Sequence, residues 1–218
     1  MLRRVLVEAA IDSFLAAQRA VAEGADRLEI CANLGVGGLT PTTSLLKQCL
    51  TLGVPCLTML RQRPGDFVYS AAEIADLHTL AREMRTAGAG GVVFGVLRRD
   101  GTIDAHATRG VVVLAEGIET VFHRAFDAAP NALAALDALI ECGVTRVLTS
   151  GHASAAAEGA ETLGKLREHA QGQIEILAGG GVRAPNVAEL VRRSGVYQVH
   201  ARATEAGVIA AIKQALAA

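Results

Sequence analysis

The densest chemistry in this chain lies in nine residues, Glu119-Thr-Val-Phe-His-Arg-Ala-Phe-Asp127. A short β-branched and aromatic run there delivers His123, Arg124 and Asp127 at its end, just before a helical segment. A histidine carries protons near neutral pH, and an arginine presents a permanent planar cation. Asp127 either joins them or caps the helix expected from about Pro130. Two more carboxylates, Glu8 and Glu29, sit inside otherwise apolar runs. A charge in such a run is costly unless paired, so a cation is expected to meet each one. Arg61 and Arg63, just after a third apolar run, are the candidates, and the same charges also suit a structural ion-pair network.

Glycine-rich stretches add places where backbone N–H groups can approach an anion. They are Gly35-Val-Gly-Gly-Leu-Thr-Pro41, Arg61-Gln-Arg-Pro-Gly-Asp66 and Ala178-Gly-Gly-Gly-Val182, the last presenting Gly179, Gly180 and Gly181. Thr149-Ser-Gly-His152 places Ser150 after another β-rich run, and His200 lies in the final one. His78, His106 and His169 fall in or at helical segments and read as surface residues. The three lysines, Lys47, Lys165 and Lys213, are all in helical segments, so a Schiff-base aldolase is disfavoured. Neither a serine nucleophile elbow nor an HExxH motif is present.

The elements that must position these groups follow one rule. Helix-period segments end in Gly24, Gly53, Gly88, Gly117, Gly143, Gly172 and Gly195, and a β-rich run follows each within a few residues. The expected strands are Val5–Ile11, Arg27–Ala32, Pro55–Leu60, Gly91–Val96, Glu119–Phe122, Arg146–Thr149, Ile174–Ala178 and Tyr197–Ala201. Ser70-Ala-Ala-Glu73 reads as a capping box, Thr40-Pro41 as a helix start, and Asp12, Asp104 and Ser154 as further caps. A last helix is expected from about Glu205 to Leu216. Eight strand–helix units with no linker predict one domain over residues 1–218, a (β/α)8 TIM barrel, with an open doubly wound sheet as the alternative. Gly24-Ala-Asp-Arg-Leu-Glu-Ile30 and Gly143-Val-Thr-Arg-Val-Leu-Thr149 share a pattern four units apart, as half-barrel duplication or chance would produce. In such a barrel the site forms at the carboxyl ends of the strands.

Bulk composition narrows the classes. The 218 residues are 51% apolar and 3% aromatic without Trp, which suits an aliphatic core around a parallel sheet. A net charge of −1 argues against nucleic acid or an anionic membrane surface as partner. Four cysteines without CxxC spacing suit a reducing cytoplasm. The opening Met1-Leu-Arg-Arg-Val-Leu-Val is interrupted by Glu8 and Asp12, unlike a secretory signal, and no run has the roughly 20 apolar residues a membrane span needs.

Several ordered stretches resemble the CutC family, named for copper homeostasis, over nearly the whole chain. They are Gly24-Ala-Asp-Arg-Leu-Glu-Ile-Cys31, Gly37-Gly-Leu-Thr-Pro41, Gly65-Asp-Phe-Val-Tyr-Ser70, Phe122-His-Arg-Ala-Phe-Asp127, Arg146-Val-Leu-Thr-Ser-Gly151 and Ala178-Gly-Gly-Gly-Val182. The resemblance implies a (β/α)8 barrel, a cytoplasmic location, a homo-oligomer (dimer or tetramer) and a role in copper handling. It also implies Cu(I) at Cys31, paired in animal relatives with a cysteine at the position of Ala10. Two readings stay open. One is a copper-binding, non-catalytic protein. The other is an enzyme acting on a small anionic metabolite, a sugar phosphate or carboxylate, held by Arg61, Arg63, Arg124, Ser150 and Gly179–Gly181. There His123 would work with Glu8, Glu29, Asp127 or His200, the last groups also able to ligate a hard divalent ion.

Overall fold

The computed structural model describes residues 4–217, and the first three residues of the basic opening stretch lie outside them. Eight parallel strands close into a ring in chain order. They are β1 (Leu6–Ile11), β2 (Arg27–Ile30), β3 (Cys56–Met59), β4 (Gly91–Phe94), β5 (Glu119–Phe122), β6 (Arg146–Thr149), β7 (Glu175–Gly179) and β8 (Gln198–Arg202). Between and after them run α1 (Phe14–Ala22), α2 (Thr43–Leu50), α3 (Ala71–Thr86), α4 (Ala105–Leu114), α5 (Ala132–Glu141), α6 (Ala160–Ala170), α7 (Ala184–Ser194) and α8 (Val208–Ala217). Pairing of β1 with β8, Glu8 opposite His200, closes the ring and rules out the open sheet. The fold is a (β/α)8 barrel, and no helix among the described residues is long and apolar enough to cross a membrane.

Strand alternation sorts the side chains. Outward residues such as Leu28, Ile30, Val92, Phe94 and Phe122 pack beneath the helices in the larger core. Inward residues Leu57, Val93, Val121, Leu148 and Leu177 fill the barrel with Ala10, Cys31, Leu34 and Met59. Cys56 belongs to the outer core, so it cannot stand beside Cys31.

Helix starts follow local chemistry, with some shifts from expectation. Ser70 and Glu73 form the reciprocal capping box, and Asp104 accepts from Ala107 N at 3.0 Å. Ser13 rather than Asp12 caps α1, and Thr42 rather than Thr40 caps α2. The Thr40 hydroxyl instead accepts from Arg61 N at 2.9 Å, joining the β2 and β3 loops. Ser154 caps nothing, because α6 starts six residues later and Ser154 binds Glu158. His78 packs inside the α3–α4 contact, with Nε2 3.1 Å from Ala107 O, rather than on the open surface. His106 and His169 are exposed.

Candidate functional site

The polar interior begins at the amino ends of the strands. Arg146 binds Glu119 at 2.7 Å and Glu175 at 2.8 Å, and Gln198 donates to Glu175 at 2.5 Å. Arg27 reaches Gln198 Oε1 at 2.8 Å and pairs with Glu8. The cation that meets Glu8 is therefore Arg27 of the neighbouring strand, placed opposite it by register, and neither Arg61 nor Arg63. Strand alternation puts Arg27 on the same face as Glu29, two residues on, which is the signal that reading forward to the next loop overlooked. Burial would raise the Glu8 carboxyl, but the Arg27 charge and the His200 hydrogen bond overcome it and hold its pKa down at about 2.

Above this layer His200 Nδ1 lies 2.8 Å from Glu8 Oε1, and His200 Nε2 is 4.0 Å from Glu29 Oε1. Burial works against the imidazolium, yet Glu29 and Glu8 together push the His200 pKa up. Glu29 moves up too, from burial and the Glu8 charge, against the pull of His200. The Cys31 thiol donates to Glu29 Oε1 at 3.4 Å, and burial with the Glu29 charge pushes its pKa well above the ordinary range.

A cavity of about 460 Å³ opens over these groups at the carboxyl ends of the strands. Glu29, His200, His123, Arg61, Met59 and Phe67 line it. Arg124, Arg183 and Arg202 stand at its rim with Gly180 and Gly181. Among the described residues neither Arg183 nor Arg202 pairs with a carboxylate. His123 sits where β5 ends, and its backbone N–H donates to Phe94 O at 2.7 Å. Its ring lies 4.9 Å from that of Phe67. Burial, with the Arg61 charge adding, lowers its pKa to about 3. Gly95 makes room for it: a Cβ there would stand 2.4 Å from His123 Cε1.

Not all of the expected groups converge. Arg61 faces the cavity but spends its terminal nitrogens on backbone oxygens of Val36, at 3.0 Å, and Gly65, at 3.0 Å. Arg63 does not line the cavity; it binds Glu73 at 2.6 Å and Asp66 at 3.1 Å. Asp127 is not a helix cap, since Asn131 caps α5. Its carboxylate instead gathers the β6 loop, accepting from Ser150 N, Ser150 Oγ and Thr149 Oγ1, and it pairs with Arg124 at 2.8 Å. Ser150 also accepts from Arg124 at 3.0 Å, so both residues position that guanidinium from behind. Gly179 packs against Leu148 and His200 beneath the rim. Gly180, at φ +105°, holds a conformation other residues rarely adopt, and a Cβ there would come within 3.3 Å of the Arg124 guanidinium. Gly95, Arg183 and Arg202 were not singled out from the sequence.

Glu8, Glu29 and His200 bring ligand atoms within 4.8 Å of one another, a donor set for a hard or borderline divalent ion, although Glu8 is already engaged by Arg27. Cu(I) prefers several thiolates. Here one buried thiol, Cys31, has the Met59 thioether near it and Ala10 on the adjoining strand. These residues do not fit a two-thiolate copper centre.

Fold and site together define a (β/α)8 barrel protein with a polar cavity at the strand ends. The CutC family model matches residues 5–205, and this chain belongs to the CutC family. A CutC family protein of Caulobacter vibrioides is 41% identical over 197 residues, covering 90% of this chain and 80% of the relative. One from Treponema denticola is 41% identical over 202 residues, covering 91% and 81%. A solved structure described as a copper homeostasis protein CutC, from Streptococcus agalactiae, superposes with a TM-score of 0.86 at 30% identity, covering 92% of this chain and all of that one.

Proposed function

We propose that this CutC-family protein works in the cytoplasm in copper homeostasis, the role after which its Streptococcus agalactiae relative is named. We further propose that its ligand at the barrel mouth is a small anionic metabolite, a sugar phosphate or carboxylate. One observation carries this reading: His123 Nε2 and Glu29 Oε2 are buried polar atoms without a partner, and both residues line one cavity rimmed by arginines. Buried polar groups normally find partners, so two left open beneath guanidinium groups favour a ligand that brings a negative charge and its own hydrogen bonds. The cavity suits a molecule of a few carbons.

Thermal unfolding in the presence of inorganic phosphate and, separately, phosphoglycolate tests it. A ligand at ten times its Kd stabilises the native state by roughly 1.4 kcal/mol. Arg124→Gln with Arg202→Ser should abolish that gain. No stabilisation by either probe at millimolar concentration overturns the reading.

Copper at Cys31 keeps one observation in its favour. A Cβ at Gly38 would stand 3.0 Å from Cys31 Sγ and 3.5 Å from Met59 Cε, so two sulfur side chains pack on one bare backbone position. Competition for Cu(I) against a chromogenic chelator decides this. Tight binding lost in Cys31→Ala supports it, and equal weak binding by both proteins ends it. Assembly as a dimer or tetramer belongs to the same reading, and light scattering of the eluted protein tests it.

A further inference from the structure

Two side chains in the cavity differ in kind as well as place. His123 Nδ1 accepts the Ala125 backbone N–H at 3.1 Å. That bond fixes the tautomer, because a nitrogen that accepts cannot also carry the proton in a neutral ring. The proton is on Nε2, which is buried and without a partner. Gly95 beneath the ring and Phe67 beside it prevent the imidazole from turning away. With its pKa near 3, the ring stays neutral at physiological pH. His123 is therefore a fixed, uncharged hydrogen-bond donor aimed at the cavity.

Glu29 supplies the opposite function. Its Oε1 is occupied by the Cys31 thiol and lies near His200, while its Oε2 is buried and open. His200 is in turn held by Glu8, which is anchored on Arg27. β2 and β5 stand three places apart in a ring of eight, so the acceptor and the donor approach the cavity from facing walls.

We propose that the mouth catalyses proton transfer at the carbon beside a carbonyl group in a small anionic hydroxycarbonyl compound, with Glu29 as base and His123 as the donor to the carbonyl oxygen. This deepens the anion-binding reading above and rests on it. In the step, the C–H bond breaks and its proton bonds to Glu29 Oε2. The released electron pair forms a carbon–carbon double bond, and the carbonyl π pair moves onto oxygen, where the His123 Nε2–H holds the growing charge. Returning a proton to carbon reverses the flow, and no oxidant, reductant or cofactor enters the balance. A neutral imidazole donor opposite a carboxylate base suits this chemistry, because a fixed dipole stabilises an enolate oxygen without reorganising. Glu8 and His200 act as positioning residues for Glu29.

The test incubates the purified protein in D2O with dihydroxyacetone phosphate and, in a separate tube, hydroxypyruvate, and follows loss of the α C–H signal by proton NMR. Exchange above the protein-free rate is expected with at least one probe. Glu29→Gln should slow it by roughly 100-fold or more, and His123→Asn by a similar factor, the usual range for a positioned acid or base. Both variants should keep a single cooperative thermal unfolding transition, which shows that they fold. If wild-type protein is stabilised by phosphate yet exchanges neither probe, the proton-transfer proposal is overturned and the anion site stands. Loss of both stabilisation and exchange removes the two together. Exchange undiminished in Glu29→Gln also overturns it.

Discussion

The two ends of the barrel interior hold the same kinds of residue and treat them in opposite ways. At the amino ends of the strands, Arg27 and Arg146 are each locked to carboxylates, and Gln198 bridges the two groups. At the carboxyl ends, His123 Nε2, Glu29 Oε2 and Arg61 Nε are buried without partners, and Arg183 and Arg202 reach the rim. Buried charge satisfied on the spot serves the fold; buried polarity left open is retained at a cost that a binding site explains. The lower end is built as structure, and the proposed site lies at the upper end, where this architecture places its sites.

The strongest way to break that contrast is to strip a charge from the paired end. Arg27→Met leaves Glu8 buried without its cation, and chemical denaturation should show a loss of about 3–5 kcal/mol. Arg146→Met should cost less, because the side chains of its partners Glu119 and Glu175 are 43% and 33% exposed and can be hydrated. A smaller effect for Arg27→Met than for Arg146→Met would contradict the account. Next comes Gly95→Ala, whose methyl would press on the His123 ring; roughly 1–3 kcal/mol should be lost, together with any activity that needs the histidine.

The pH dependence sharpens the comparison further. His123 has a folded pKa of about 3 against an ordinary 6.5, so between those values the unfolded chain binds a proton that the native state refuses. Above pH 6.5 the histidine contributes nothing to the slope. As pH falls from 6.5 towards 3, it should remove about 1.4 kcal/mol of stability per unit. His123→Asn should flatten that part of the acid limb, and an unchanged slope would show that the ring is not held neutral. The smallest expected effect is at the open end: Glu29→Gln should leave stability within about 0.5 kcal/mol of wild type or raise it, while ligand turnover is lost. A fall comparable with that of Arg27→Met would place Glu29 in the structural network instead.

The glycine stops and β-rich runs made the eight units legible, because helix termination and strand propensity are local properties of the chain. The repeated Gly-x-x-Arg pattern holds in space: Arg27 and Arg146 each begin an inward-facing strand and each bind a glutamate of the strand before. Caps were less legible. Thr40 and Asp12 were attractive by residue type, but neighbours one or two positions on took the role, and Thr40 was drawn to Arg61 instead. Asp127 likewise has the residue type of a cap and the position of a loop anchor. Arg63 has the residue type of an anion ligand, yet Glu73 of the next helix claims it.

Residue order alone determined the fold class, the ring of eight units and the strand ends where reactive groups would gather, since each depends on periodicity and short-range conformation. Which of those groups remain open was decided only in three dimensions. Tertiary contacts set Glu8 on Arg27, Arg63 on Glu73 and Asp127 on the β6 loop, and left Glu29 and His123 lining the same cavity. The reason is physical: a charged side chain takes the partner its strand register brings nearest, and register is a property of the closed sheet rather than of any one segment.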